Sequence, residues 1–321
     1  MDLSVIIVNF NTREITREAV ASVLACAGTL RIEVIVVDNA STDGSVAALR
    51  EAFPQVTVID AGYNGGYAWG NNQGISCARG RYILVLNPDS LMHPGTLEAA
   101  LSYMEAHPEV GLLGARVLYE TGIQQSTLFR DLRLSHLFWR LFIPNHLIRR
   151  TSLFGDQRYA SKCRSRDMDV EVVAGCFMLV PRRVIEKIGA MDDRFFMYSE
   201  ESEWCWRVRQ SGYRVRYNPE ISITHYGAVS TGEISPWKAV EIARGQILFL
   251  RFTRGPLVAW TGTAIMALGE ILRGSLVLPA CLINRKGDRS FEIWKGRMRF
   301  LMGALLQQPR GQRPDTWLRA E

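Results

Sequence analysis

Four places in this chain carry side chains whose type and spacing suit chemistry. Asn87-Pro88-Asp89 closes the unbroken apolar run 82–86. Such a run reads as a strand buried on both faces. Proline lacks the N–H needed to continue a ladder, so the Asp89 carboxylate falls at the strand's carboxyl end. Asp38 ends a second strand-like stretch, 32–37, and His225 ends a third, the alternating 221–224. Glu200-Glu201-Ser202-Glu203 has the composition of a helix start, where carboxylates meet the positive end of the dipole and Ser199 can cap. In open α/β sheets the carboxyl ends of the strands line the edge where ligands bind, so these groups can converge. Asp89 and His225 offer an oxygen and an imidazole nitrogen to one Mg²⁺ or Mn²⁺, a hard cation suited to holding a phosphate. A carboxylate at a nearby helix start can serve as a general base.

Each residue also has a plainer reading. Asp89 can cap a helix beginning near Pro94, and Asp38 can open the Asx-rich turn 39–45. Asp43, just before Gly44, is placed as a helix N-cap. The Glu200–Glu203 run can be no more than a dipole-favoured start.

The elements that must position these groups follow from the apolar pattern. Residues 3–8 read as a first strand. A helix follows, with Asn11 and Glu14 spaced as a capping box. Strands at 32–37, 56–59 and 82–86 alternate with helices, the third after the glycine-rich loop 62–66. This order predicts an α/β fold, a doubly wound, mostly parallel sheet flanked by helices, with a C-terminal helical extension. The glycines do not form GxGxxG after the first strand, and no GxxxxGK[ST] is present, so dinucleotide and P-loop readings fall away. Beyond them the pattern gives a helix from Pro94 to His107 and a strand over 110–118. Pro181 is expected at the first position of a helix, and 213–217 and 221–224 as two short strands. Residues 132–150 form a basic amphipathic stretch with Arg133, Arg140, Arg149 and Arg150.

At 321 residues, 47% hydrophobic and 22% charged, the chain has ample apolar residues for a core. Its six cysteines show no CxxC or zinc spacing and read as reduced thiols of a cytosolic protein. The apolar run 5–8 is too brief for a signal peptide. Charge is uneven. Residues 1–230 carry 24 Lys or Arg against 25 Asp or Glu, and residues 231–321 carry 14 against 7. A basic, apolar-rich tail points to an anionic membrane surface rather than to nucleic acid. Its uncharged run 255–269 is short of the roughly 20 residues that span a bilayer, so an interfacial or re-entrant helix pair is expected. The division expected is a catalytic domain over 1–235 and a helical, basic, membrane-associated extension over 236–321.

The ordered set Ser4–Asn11, Val37–Ser45, Leu86–Asp89, Phe195–Arg207 and His225–Ser230 resembles family 2 glycosyltransferases with the GT-A fold. It is most similar to the bacterial rhamnosyltransferase-type members that build surface glycans. The resemblance covers about residues 3–230. It implies inverting transfer of a sugar, L-rhamnose foremost, from a nucleotide diphosphate donor such as dTDP-rhamnose or a UDP-sugar. The acceptor would be a lipid-linked or growing glycan at the cytoplasmic face of the inner membrane. By the same resemblance Asn9 and Asp38 contact the nucleotide, with Asp43 in the same pocket. Asn87-Pro88-Asp89 stands at the DxD-like site, with Asp89 and His225 on the metal. Glu200-Glu201-Ser202-Glu203 matches an E-D-x-D pattern that makes Glu201 the base. Asn87 replaces the first acidic position, and Glu201 is one methylene longer than the usual Asp. Glu203 and Trp204 would bind acceptor, with Trp206 and Tyr198 near, because aromatic faces suit sugar C–H surfaces. A sugar-nucleotide nucleotidyltransferase is the rival enzyme, but Asn9-Phe10-Asn11-Thr12 stands where its basic glycine-rich loop belongs. An inactive membrane-bound scaffold of the same fold is the rival without chemistry.

Overall fold

The computed structural model describes residues 1–143, 159, 164–227, 235–283, 288–307 and 309, without the side chains of 276–283, 288 and 289. Arg149 and Arg150 of the basic stretch, residues 228–230 of the His225 motif, Cys163 and the Cys281 side chain lie outside this description. The chain divides into two compact units. One comprises Met1–Asp131, Arg158–Asp192 and Glu201–Ser230; the other comprises Leu132–Gln157, Asp193–Glu200 and Thr231–Glu321. The helices after residue 235 thus group with two earlier segments.

The first unit is built on a nine-stranded sheet. Its strands are β1 (Leu3–Asn9), β2 (Ile32–Asp38), β3 (Thr57–Asp60), β4 (Tyr82–Leu86), β5 (Ser90–Met92), β6 (Val110–Leu118), β8 (Met168–Asp169), β10 (Phe177–Pro181) and β11 (Arg214–His225). A separate ribbon pairs β7 (Leu128–Phe129) with β9 (Val172–Val173). The sheet order is β3-β2-β1-β4-β10-β6-β11-β5, with β8 paired to β11. Helices α1 (Arg13–Ala25), α2 (Ser45–Ala52), α3 (Tyr67–Cys77) and α4 (Thr96–Ala106) connect the early strands. Strand alternation divides the core in two. Val5, Ile7, Val36, Leu84 and Leu86 join one apolar cluster, whereas Ile6, Ile35, Val37, Ile83 and Val85 join the other. Both faces are covered, which is why these strands read as unbroken apolar runs. Each fully buried Val, Ile or Leu contributes about 1.5–3 kcal/mol.

Several expectations change. β10 runs antiparallel to both β4 and β6. No crossover helix delivers it, so the handedness rule for parallel units does not apply, and alternation is blind to strand direction. The sheet is mostly parallel, as expected, and β10 is an antiparallel member of it. The two short strands 213–217 and 221–224 are one strand, β11. A register shift between Asn218 and Ser222 absorbs Pro219, and the Glu220 N–H donates to Asn218 Oδ1 at 2.8 Å. The capping box at Asn11 and Glu14 does not form. Asn11 has φ +53° and its side chain accepts from the Thr42 N–H, while Glu14 pairs with Arg13 and Arg17. Pro181 ends β10 and precedes α6 (Arg182–Ile188) as its N-cap rather than opening it.

Helix α7 (Glu200–Gln210) follows two consecutive non-glycine residues in the left-handed region, Tyr198 (φ +71°) and Ser199 (φ +74°). Such residues cost of order 1–3 kcal/mol each and persist only where surroundings fix them. The second unit supplies that fixing. A Cβ on Gly245 of α8 (Pro236–Arg254) would lie 2.3 Å from the Tyr198 carbonyl oxygen and 3.0 Å from Ser199 Oγ. The same unit holds α5 (Leu134–Phe142), α9 (Pro256–Ile283) and α10 (Asp288–Leu306).

Gly245→Ala is therefore expected to destabilise the protein. Overpacking against backbone costs about 1–3 kcal/mol, which outweighs roughly 1 kcal/mol gained from helix propensity. Gly303→Ala, where a Cβ meets nothing within 4 Å, should instead stabilise by up to about 1 kcal/mol. Urea titration of both variants checks the opposed signs. Equal midpoints would remove the turn's dependence on Gly245.

Candidate active site

The carboxyl ends of β1, β2, β4 and β11 carry the polar residues picked out from the sequence. Register pairs Asn9 with Asp38 and Asp38 with Asp60, and His225 with Ser90. Asp89 is linked by its carbonyl to the Tyr226 N–H at 3.0 Å, which holds it beside the end of β11.

Asp89 is 3% exposed, and its Oδ1 lies 3.0 Å from His225 Nε2. The tautomer of that ring follows from Gln125. The Gln125 amide nitrogen donates to the backbone carbonyls of Leu118 and His225, so its Oε1 faces His225 Nδ1, at 3.0 Å. Nδ1 therefore carries the hydrogen and, on the neutral ring, Nε2 presents a lone pair. Asn87 Nδ2 lies 3.3 Å from that same Nε2, in the position of a donor to it. Asp89 Oδ1 is buried and receives no hydrogen bond, despite its nearness to the ring. With the ring neutral, two acceptors face one another; with it charged, the contact is an ion pair. Leaving a buried acceptor unpaired costs about 1–3 kcal/mol. An oxygen and an imidazole nitrogen turned together, with the ring oriented from behind, fit a divalent cation. Among the described residues no cluster of three or more His, Cys, Asp or Glu forms a closed cage. A two-ligand site suits Mg²⁺ or Mn²⁺, which usually take one or two protein ligands and the rest from phosphate and water.

Asn9 is fully buried and its amide is saturated. Oδ1 accepts from Thr12 (2.7 Å) and Thr16 (2.8 Å), and Nδ2 donates to Asp38 and Ser41. Through these bonds the Asn9 side chain fixes Asp38. Asp38 is 1% exposed and also accepts the Ser41 N–H at 2.7 Å. Asp43 is likewise spent within the loop. It accepts the Arg13 N–H at 2.9 Å and both the N–H and hydroxyl of Ser45. Burial opposes its ionisation, but these hydrogen bonds win and hold its carboxyl below the ordinary range. The helix cap itself is Gly44, at φ +81°.

In α7 the glutamates separate as helical spacing requires. Glu200 and Glu203 are each 5% exposed, while Glu201 is half-buried. Arg207 Nε meets both oxygens of Glu203, at 2.7 and 2.9 Å, and its other nitrogens reach the carbonyls of Ile188, Gly189 and Ala190. Trp204 has no exposed surface and donates its indole N–H to the Gly189 carbonyl at 3.1 Å. Glu203, through Arg207, and Trp204 both brace α7 against the segment that precedes it.

Cys176 links the two halves of the site. It is buried, and its carbonyl accepts from the Asn87 N–H and the Ser90 hydroxyl, both at 3.4 Å. Burial pushes its thiol up to about 12, and the negative charges of Asp89 and Glu201 both add to the rise. The candidate metal ligand and the candidate base thus lie within electrostatic reach of one sulfur atom. Gln125, Ser41 and Cys176 carried no sequence signal. The first sits in the irregular stretch after β6, and the others resemble ordinary turn and core residues.

The glycosyl transferase family 2 model matches residues 4–189, more than half of the chain. The N-acetylglucosaminyl-diphospho-decaprenol L-rhamnosyltransferase of Mycobacterium tuberculosis is 27% identical over 280 residues, 80% of this chain and 85% of that one. The rhamnosyltransferase WbbL of Escherichia coli is 26% identical over 209 residues, 60% of this chain and 72% of that one. Among solved structures, a mannosyltransferase from Pyrobaculum calidifontis, in complex with GDP-Man and Mn²⁺, superposes with a TM-score of 0.56 at 16% identity, covering 95% of this chain and 87% of that one. The shared architecture is the GT-A fold, and the chain belongs to glycosyl transferase family 2.

Proposed function

We propose that this glycosyltransferase moves a sugar, L-rhamnose foremost, from a dTDP- or UDP-linked donor to a lipid-linked or growing surface glycan, with inversion, at the cytoplasmic face of a membrane. The observation that carries the reading is the Asp89–His225 pair, with facing acceptors and a fixed ring, within reach of the thiol that also feels Glu201. The names of the Mycobacterium and Escherichia relatives support rhamnose, and the first of these names also carries a lipid diphosphate.

In this reading Asp89 and His225 hold Mg²⁺ or Mn²⁺. When bound, such an ion neutralises the diphosphate as it departs. Gln125 keeps the His225 hydrogen on Nδ1 and leaves Nε2 as the ligand atom. Asp38, fixed by Asn9 and the Ser41 N–H, receives the nucleotide base. Glu201 takes the proton of the acceptor hydroxyl while its oxygen bonds to the anomeric carbon. The bond from that carbon to the diphosphate oxygen breaks on the opposite side. The products are the inverted glycoside, a nucleoside diphosphate and protonated Glu201. A positioned base is worth roughly 10²–10⁴-fold in such a step.

Glu201→Gln keeps size and hydrogen bonding but cannot take a proton. It is expected to lose at least about 10²-fold in single-turnover transfer while binding donor normally. Glu201→Asp should retain measurable activity. Glu203→Gln should act through stability, because its partner Arg207 braces the helix. Quench-flow with saturating acceptor reads the rates. A Glu201→Gln rate within about tenfold of wild type, ~1.4 kcal/mol in barrier, would exclude Glu201 as the base.

Asp89→Ala should abolish Mn²⁺ binding in the presence of nucleoside diphosphate. Gln125→Leu frees the ring and is expected to weaken Mn²⁺ by about 10–100-fold, whereas Gln125→Glu keeps an acceptor at Nδ1 and should stay near wild type. Titration followed by Mn²⁺ electron paramagnetic resonance measures this without turnover. Unchanged affinity in Gln125→Leu would sink the orienting role.

A further inference from the structure

We infer that the outer face of α9, with α5 and α10 on its two flanks, is a docking surface for an anionic lipid bilayer. This deepens the membrane location in the proposed function, yet its grounds are independent of the catalytic residues. Helix α5 buries one face and exposes the other. Cβ atoms on Gly262 and Gly269 of α9 would meet Leu134, Leu137 and Leu141 of α5 at 2.9–3.4 Å. Those two glycines, seven residues apart, form the shallow seat of α5. The opposite side of α5 carries Phe138, Trp139 and Phe142, all exposed, Phe142 to 61%. They contact one another edge-on, at centroid distances of 5.6 and 5.2 Å.

Helix α9 does the same on a larger scale. Leu257, Trp260, Leu268, Ile271 and Leu272 are exposed, Leu257 to 76%. Placed at 100° per residue they share one arc. The arc holding Gly262 and Gly269 is covered by α5 and, at Gly262, by Leu250 of α8. The arc of Gly274, where a Cβ would meet Trp294 at 2.8 Å, belongs to α10. The apolar stripe lies between these two arcs. Helix α10 adds exposed Met302 and Leu306, and its Leu305 carbonyl accepts from the Trp260 indole at 3.3 Å.

Charge selects the occupant. Across the described side chains of α5, α9 and α10, five residues are basic: Arg140, Arg273, Lys295, Arg297 and Arg299. Two are acidic: Glu270, 2% exposed and paired with Arg273 and Arg297, and Glu292, so the remaining exposed cations Arg140, Lys295 and Arg299 outnumber the one exposed carboxylate. Exposed aromatic and aliphatic groups among basic side chains are the composition of helices that lie in a headgroup layer. Among the described residues no helix is long and apolar enough to cross a membrane, so the fitting mode is lying on the surface.

The test uses the full chain and vesicle flotation, with phosphatidylcholine alone and with phosphatidylcholine mixed with phosphatidylglycerol. Wild type should float with the anionic vesicles and do so less at high salt. The double variant Trp139→Glu, Leu268→Glu changes exposed positions only and should partition at least about tenfold more weakly. In wild type, lipids brominated on the acyl chains should quench tryptophan fluorescence. The double variant Trp139→Phe, Trp260→Phe should lose most of that quenching. Equal flotation of wild type and charge variant, or no quenching, overturns the inference. So does wild type that ignores vesicles but forms dimers the charge variant does not, which would assign the face to a second copy. Sugar transfer is not read here, so failure leaves the proposed reaction standing.

Discussion

The Asp89 carboxylate and the His225 ring lie 3.0 Å apart in the first unit, and several of its elements hold them there. With a neutral ring the pair is two buried acceptors and with a charged ring a buried ion pair, and either arrangement needs its surroundings to fix the geometry. Asp89 is held by the turn that ends β4 and by the bond from the Tyr226 N–H. His225 is held by pairing of β11 with β5 and by Gln125 behind the ring. The short strand β5, with Ser90 opposite His225, fixes the distance between the two groups. The reversed strand β10 then brings Cys176 to the end of β4, placing backbone acceptors for Asn87 and Ser90 there.

The position of Glu201 depends on a different kind of constraint. Its helix is anchored at one side by the Glu203–Arg207 pair and the Trp204 indole, which together bind three successive carbonyls, those of Ile188, Gly189 and Ala190. Just before it, the chain passes through Tyr198 and Ser199, both with positive φ. Polar residues that look like ligands in the sequence are thus split between two tasks. Glu203 and Trp204 hold the helix, and Glu201 is left half-buried, its charge felt by the thiols of Cys176 and Cys205. Burial pushes the Cys205 thiol to about 12, and Glu201 adds to that rise.

What was legible in the sequence, and what was not, follows from the range of each signal. Apolar runs mark β1, β2 and β4 because both sheet faces are covered, and the polar residues ending them mark the edge of the candidate site. The order of motifs identifies the family because each lies at a strand end or helix start. Direction is not legible: β10 alternates like its neighbours yet runs against them. Satisfaction of polar groups is not legible either. Asn9 has the type and place of a ligand, but Thr12, Thr16, Ser41 and Asp38 use all four of its hydrogen-bonding positions. The capping box at Asn11 failed for a similar reason, since a residue 31 positions away claimed the side chain. Gln125 could not be found because its value lies wholly in two backbone carbonyls and one ring nitrogen.

Glu270 shows why an apolar 28-residue helix in the second unit need not be a spanning one. The carboxylate is buried against Arg273 at 2.8 Å and Arg297 at 3.2 Å, and the adjoining carbonyl accepts from the Trp294 indole at 2.8 Å. A buried carboxylate is costly unless paired and hydrogen-bonded, so this arc of α9 requires α10 against it. The outer arc, by contrast, is apolar and has no charge over 255–269. A helix so divided has one face that needs protein and one that tolerates lipid. Such a division suits a position at the boundary of a bilayer, where the buried face keeps its partners and the exposed face lies against acyl chains.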